Sequence, residues 1–203
     1  MDAPRLILAS ASPRRRYLLE QAGLPIEIIP SGYDEASVPF TTPEPYVKTL
    51  ARGKAAEVGK RHPSRWVIGT DTIVVIGDAV LGKPRSMDEA REMLRRLSGQ
   101  THQVFTGYCL YRGDADFRRC GAVRTDVVFK ALSEKEIEWY VHTDEPFDKA
   151  GAYAIQGIGT FLVRRIDGSY TNVVGLPVCE VVEDLIEEGV VGFGAGGSGW
   201  AGR

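Results

Sequence analysis

Residues Trp66 to Ile76 read Trp-Val-Ile-Gly-Thr-Asp-Thr-Ile-Val-Val-Ile, an almost unbroken β-branched run with a carboxylate at its centre. A strand that is apolar on both faces must be covered on both faces, which points to a sheet flanked by helices. An unpaired carboxylate buried in such a strand is costly unless it meets a cation or opens onto a binding site. Gly69 to Thr72 is therefore expected to interrupt the strand. Asp71 there is a candidate metal ligand or general base; the plainer alternative is an Asp that ties down the strand break.

Strand and helix signals alternate irregularly along the rest of the chain, predicting an α/β fold on a mixed sheet. Arg5 to Ala9 is a short apolar strand, followed by Ser12 as N-cap and Pro13 at the first position of a helix that ends before Gly23. A strand at Ile26–Ile29 leads through a polar loop to Thr42-Pro43, where a helix opens and runs to about Lys60. Ser86 with Glu89 and Ser133 with Glu136 match capping boxes ahead of helices ending near Leu97 and Val141. Between them, Gln103–Arg112 and Ala122–Ala131 read as paired strands. A last strand over Gly159–Ile166 and a helix over Leu176–Glu188, with Glu183, Asp184, Glu187 and Glu188 as its solvated face, complete the core. The segment Gly192–Arg203 has six glycines in twelve residues and no apolar period, so it is expected to be disordered.

Charge bounds the function. The 203 residues carry 25 basic and 27 acidic side chains, a net charge of −2. A wholly basic polyanion-binding surface is thereby disfavoured, stable nucleic-acid binding is not expected, and any phosphate chemistry must be local. No stretch approaches the roughly 18 apolar residues needed to cross a bilayer, and no signal-like segment opens the chain, so no membrane association and a cytoplasmic location are expected. Cys109, Cys120 and Cys179 are odd in number and widely spaced, which suggests reduced thiols.

The densest polar cluster is Ser10-Ala-Ser12-Pro-Arg14-Arg15-Arg16. It sets hydroxyls, helix-start N–H groups and guanidinium groups around one turn, all suited to phosphate oxygens; the alternative is a capped helix with solvated arginines. Asp34-Glu35 offers further carboxylates in the loop after the second strand, or simply solvates it. Gly77-Asp-Ala-Val-Leu-Gly82-Lys83-Pro84 approximates a phosphate loop, but Pro84 stands where a magnesium-binding hydroxyl belongs, which rules that reading out. Lys83 remains a candidate phosphate contact from a loop. Asp148 to Gly157 combines small residues that permit close backbone approach with the Gln156 amide, which donates and accepts at once. His62, His102 and His142 show no metal-ligand spacing.

Taken together and in order, Ser10-Ala-Ser12-Pro-Arg14-Arg15, Gly69-Thr-Asp71-Thr72, Gly82-Lys83-Pro84, Ser98-Gly-Gln-Thr-His102, Asp148-Lys-Ala-Gly-Ala-Tyr153 with Ile155-Gln156-Gly157, and Gly168-Ser-Tyr170 through Val174-Gly-Leu-Pro177 resemble the Maf (septum formation inhibitor) nucleotide pyrophosphatases. The resemblance covers roughly Leu6 to Gly189. The Asp-Lys-Ala-Gly-Ala-Tyr and Ile-Gln-Gly pattern resembles the branch acting on dTTP and UTP, whereas the branch preferring 7-methyl-GTP has Glu in place of Gln156. Thr70 departs from a frequent Ala, and Arg16 adds a third arginine.

The resemblance implies a two-lobed α/β fold of the inosine triphosphate pyrophosphatase type, a mixed, twisted sheet with flanking helices and two lobes around a cleft. It implies one catalytic domain over residues 1–191 and hydrolysis of a nucleoside triphosphate to monophosphate and pyrophosphate with a divalent cation, Mg²⁺, Mn²⁺ or Co²⁺. In that scheme Asp71 is the proton acceptor or shares the metal, and Glu35 helps hold the metal. Ser10, Arg14, Arg15, Lys54 and Lys83 bind the triphosphate, and Gln156, Arg14 and Thr72 bear on specificity. A nucleotide-binding regulator of septum formation acting through a protein partner, with hydrolysis secondary, is the alternative; a homodimer is left open.

Overall fold

The computed structural model describes residues 6–194 and 200–202. In chain order its elements are β1 (Leu6–Leu8), α1 (Pro13–Gln21), β2 (Ile26–Ile28), α2 (Pro43–Arg61), β3 (Val67–Ile76), β4 (Ala79–Leu81), α3 (Met87–Leu97), β5 (Thr101–Arg112) and β6 (Phe117–Phe129). There follow α4 (Glu134–Val141), β7 (Val163–Asp167), α5 (Tyr170–Val174), α6 (Val178–Glu187), β8 (Val191–Phe193) and β9 (Trp200–Gly202). Short 3-10 turns occupy Glu35–Ser37, Glu145–Asp148, Ala150–Ala152 and Gly157–Leu162.

The main sheet has the order β2-β1-β3-β5-β6-β7, and β4 pairs with β3. Strand β1 runs parallel to β2 and β3, with Leu8 opposite both Ile28 and Ile68, while β3–β4 and β6–β7 are antiparallel. The expected mixed α/β sheet with flanking helices is what forms.

The chain divides into two compact units. The first comprises the residues up to Asp71, Thr106–Ala122 and the residues from Gly175 onward; the second comprises Thr72–Phe105 and Val123–Val174. Each has its own apolar cluster. In the first, Ile7, Ala9, Ala51, Ala55, Val58, Val67 and Cys109 pack together. In the second, Leu94, Leu97, Val127, Phe129, Tyr140 and Leu162 are among the fully or almost fully buried side chains of a larger cluster. At about 25 cal/mol per Å² of apolar surface removed from water, such clusters dominate the favourable side of folding.

Several expectations are corrected. Strand β3 is not interrupted at Gly69–Thr72 but continuous from Val67 to Ile76. Gly69 is required by packing: a Cβ there would lie 2.2 Å from the Ala51 carbonyl oxygen and 2.6 Å from the Ala55 nitrogen, both on α2. Gly107 on the neighbouring β5 repeats the pattern, with a Cβ 2.3 Å from the Val47 oxygen. These two glycines let α2 lie directly against the sheet, which brings its side chains within reach of β3.

Ser12 and Thr42 occupy N-cap positions, but neither side chain makes a capping hydrogen bond. At α3, Ser86 accepts from the Glu89 N–H while Glu89 accepts from Arg85, so the reciprocal bond is displaced by one residue; Ser133 and Glu136 form the full box. The strand expected from Gly159 begins only at Val163, because a 3-10 turn takes up Gly157–Leu162, and α5 has no counterpart in the sequence reading. Cys109 and Cys120 are not free thiols: they form a disulfide with Cα atoms 4.0 Å apart, since neighbouring β5 and β6 set them side by side, while Cys179 is free and exposed. Asp184 is not on a solvated face; it is 7% exposed, accepts from the Tyr108 hydroxyl at 3.0 Å and pairs with Arg119 at 2.9 Å. Within the glycine-rich segment expected to be disordered, β8 and β9 pair antiparallel, Gly192 opposite Ala201; 195–199 and Arg203 lie outside the described residues.

Candidate active site

Six of the singled-out residues lie in the first unit. Ser10 follows β1, Arg14 and Arg15 lie in the first turn of α1, Glu35 opens a 3-10 turn, Lys54 sits in the middle of α2, and Asp71 is in β3. Because Gly69 admits α2 so closely, the Lys54 ammonium reaches the Asp71 Oδ1 at 2.6 Å, and the Glu35 Oε1 also contacts it at 2.9 Å. The Lys54 and Asp71 side chains are only 11% and 12% exposed, whereas Glu35 is 53% exposed. A carboxylate in an apolar strand is tolerable here because its charge is matched at hydrogen-bond distance.

Arg15 organises the same region. Its Nε donates to the Gly175 carbonyl at 2.8 Å, and Nη1 donates to the Ser10 hydroxyl at 3.0 Å and to the Thr70 carbonyl at 3.3 Å. Burial lowers the pKa of this guanidinium, and the nearby Asp71 charge opposes that effect. Arg15 therefore ties the turn after β1 and the residue before Asp71 to one planar group, a positioning use that the local sequence does not signal. Ser10 also accepts from the Ser12 N–H at 3.3 Å. Arg14 lies half-buried beside them, whereas Arg16 faces outward and pairs with Glu20 at 2.7 Å.

Thr72, Lys83 and Gln156 belong to the second unit. Thr72 follows Asp71 directly in β3 and is half-buried; Lys83 is exposed in the loop after β4; half-buried Gln156 stands immediately before the 157–162 turn. Sequence reasoning missed the supports of that last segment. The His102 Nε2 lies 2.7 Å from the Tyr153 hydroxyl, both side chains buried, and burial pushes the His102 pKa down to about 4 against a smaller opposing pull from Asp126. His102 is thus a neutral structural ring. The lack of metal-ligand spacing points to a structural or exposed histidine, but nothing in the sequence names Tyr153 as its partner.

Among the described residues, no group of three or more His, Cys, Asp or Glu is placed to hold a metal ion. The two carboxylates that share the Lys54 cation are hard oxygen donors, the set that Mg²⁺ or Mn²⁺ takes when substrate phosphate oxygens complete its coordination. Glu35 and Asp71 therefore fit such an ion in combination with a phosphorylated ligand. No described helix is long and apolar enough to cross a membrane.

Comparison with known proteins places the whole chain. A dTTP/UTP pyrophosphatase of Syntrophus aciditrophicus (strain SB) is 50% identical over 193 residues, 95% of this chain and 94% of its own length. Another of that name, from Geobacter sulfurreducens, is 51% identical over 185 residues, covering 91% and 97%. Among solved structures, the Ham1 protein of Staphylococcus aureus superposes with a TM-score of 0.51 at 12% identity, covering 91% of this chain and 98% of its own, which shows a shared fold. Residues 5–188 match the Maf-like protein model, and with relatives this similar over nearly their whole length, the chain belongs to the Maf-like protein family.

Proposed function

We propose that the protein hydrolyses dTTP and UTP between the α- and β-phosphates, releasing a nucleoside monophosphate and pyrophosphate. The observation that carries this reading is the Glu35–Lys54–Asp71 cluster beside the arginine-rich start of α1: carboxylates and cations packed together, as a triphosphate and its counterion require. The names of the relatives supply the substrate.

In this reading Asp71 accepts the proton of the water that attacks the α-phosphorus. The bond from that phosphorus to the bridging oxygen breaks, and pyrophosphate leaves with the electron pair. Lys54 keeps Asp71 oriented and, with Arg14, Lys83 and Ser10, offsets negative charge on the phosphates. Arg15 holds the Thr70 carbonyl and the Ser10 hydroxyl, fixing the backbone on which Asp71 stands. A divalent cation held by Glu35 and Asp71 would polarise the phosphoryl oxygens. Gln156 reads the base: a uracil or thymine edge offers an N3–H donor beside an O4 acceptor, which one primary amide can match together, while cytosine has no N–H at N3. Thr72, next to Asp71, assists specificity.

The test is a panel of dTTP, UTP, CTP, dATP and 7-methyl-GTP with Mg²⁺, Mn²⁺ and Co²⁺, scored for pyrophosphate against orthophosphate. Pyrophosphate from dTTP and UTP, abolished in Asp71→Asn, is the expected outcome. Orthophosphate as the product, or full activity in that variant, would overturn the reading.

A further inference from the structure

We propose that Tyr140 and Glu145 form a clamp that holds both flanks of Gln156 and thereby sets base selectivity, resting on the reading that Gln156 recognises the base. Upstream of Gln156, the Ala154 N–H donates to the Tyr140 hydroxyl at 3.2 Å. That hydroxyl donates in turn to the Glu145 Oε1 at 2.8 Å. Downstream, the Glu145 carboxylate accepts from the Gly159 N–H at 2.8 Å through Oε1 and from the Ile158 N–H at 2.9 Å through Oε2. Residues 154 and 158–159 are thus bound to one hydroxyl–carboxylate pair, and Gln156 occupies the short tether between them.

The pair is itself fixed. Tyr140 is fully buried at the end of α4, and its pKa is raised, chiefly by burial and then by the bond to Glu145, so the phenol stays protonated as a donor. The Lys149 ammonium donates to the Glu145 carbonyl at 2.6 Å, holding the backbone that carries the carboxylate. The local glycines are explained by the same contacts. Gly157 has φ +68°, and a Cβ on it would meet the Glu145 Oε2 at 2.6 Å. A Cβ on Gly159 would lie 2.3 Å from the Ala154 oxygen and 2.7 Å from the Tyr140 hydroxyl. Only a chain bare at both positions can bring its N–H groups onto the carboxylate. An amide that must present one donor and one acceptor to a base edge gains from a backbone fixed on both sides, because misplacement by about 1 Å loses such pairing.

Tyr140→Phe removes the hydroxyl and little else; Glu145→Gln replaces an acceptor oxygen with a donor amide facing backbone N–H groups. For each, kcat and KM are measured with UTP, with CTP and with ribose 5-triphosphate, which carries no base, and thermal unfolding confirms that the chain is folded. The expected result is a fall of about tenfold in the UTP-to-CTP ratio of kcat/KM, carried by the KM for UTP, with turnover of the baseless triphosphate unchanged. In the Gln156→Ala background, Tyr140→Phe is expected to change the ratio no further. A ratio unchanged by Gln156→Ala would overturn the reading of Gln156 and this proposal with it. A ratio lowered by Gln156→Ala but unchanged in folded Tyr140→Phe would overturn the clamp alone, as would equal losses on the baseless triphosphate. If Glu145→Gln fails to fold, Tyr140→Phe carries the test.

Discussion

In the first unit charge is held against charge: the Lys54 ammonium lies between the Asp71 and Glu35 carboxylates, and the Arg15 guanidinium gathers a hydroxyl and two carbonyls. In the second unit the segment around Gln156 is held by short-range directional bonds: the Ala154, Ile158 and Gly159 N–H groups donate to the Tyr140 hydroxyl and the Glu145 carboxylate, and the Tyr153 hydroxyl pairs with the neutral His102 imidazole. The contrast follows from the ligand chemistry proposed for each. A triphosphate and its cation bring several charges, and an ammonium shared by two carboxylates can exchange partners when they arrive. A base edge is neutral and is told apart by donor and acceptor positions, which demand fixed geometry more than field strength.

Breaking the ionic side has the largest expected effect. Asp71→Asn should lower kcat by about 10²- to 10⁴-fold, the range for loss of a positioned base, measured as initial rates of pyrophosphate release from dTTP. Lys54→Ala leaves two carboxylates without their shared cation, one of them almost buried, and is expected to cost about 3–5 kcal/mol in denaturant unfolding. An unfolding midpoint that did not move would mean that the pair is solvated in solution.

The neutral side is probed by acid. The His102 pKa is depressed from 6.5 to about 4 in the folded protein, so as pH falls below 6.5 the unfolded chain binds a proton before the folded one does. Its contribution to stability is thus lost between about pH 6.5 and pH 4, some 3 kcal/mol in all. His102→Gln should remove that increment from the difference in unfolding free energy between pH 7 and pH 4, and equal acid sensitivity in both proteins would contradict it.

Gln156→Glu should weaken dTTP and UTP use by about 5- to 150-fold, because a carboxylate cannot donate to O4. Unchanged kcat/KM would detach Gln156 from base reading. The smallest effect is expected at Thr70, whose hydroxyl is buried without a hydrogen-bond partner among the described residues. Thr70→Val, of the same shape, should raise stability by about 1 kcal/mol, read as an upward shift in Tm.

Much of this was legible in the sequence where local chemistry speaks for itself. The helix starts at Pro13, Pro43, Met87 and Glu134 were marked by Ser, Thr and Pro, because caps and proline act within one turn. Asp71 stood out as a charge in an apolar strand. Glu145 and Tyr140 did not, since a glutamate before a proline and a tyrosine near a helix end carry no local signal; their meaning lies in backbone N–H groups 13 to 14 residues away. The disulfide escaped for a related reason: 11 residues of separation say nothing about which strands become neighbours.

The sequence by itself determined the fold class, the family and the residues that bear charge, because periodicity, capping and ordered motifs are properties of short segments. Only the tertiary structure decided what each residue does with its side chain. Gly69, which locally reads as a strand breaker, is instead a point of contact in an unbroken strand, since the crowding that excludes a Cβ comes from α2. Arg15, which reads as a phosphate contact, also binds the protein's own carbonyls, since Thr70 and Gly175 reach it only after the chain has folded over 55 and 160 residues. Hydrogen bonds and steric exclusion act over a few ångströms in space, and the sequence measures distance only along the chain.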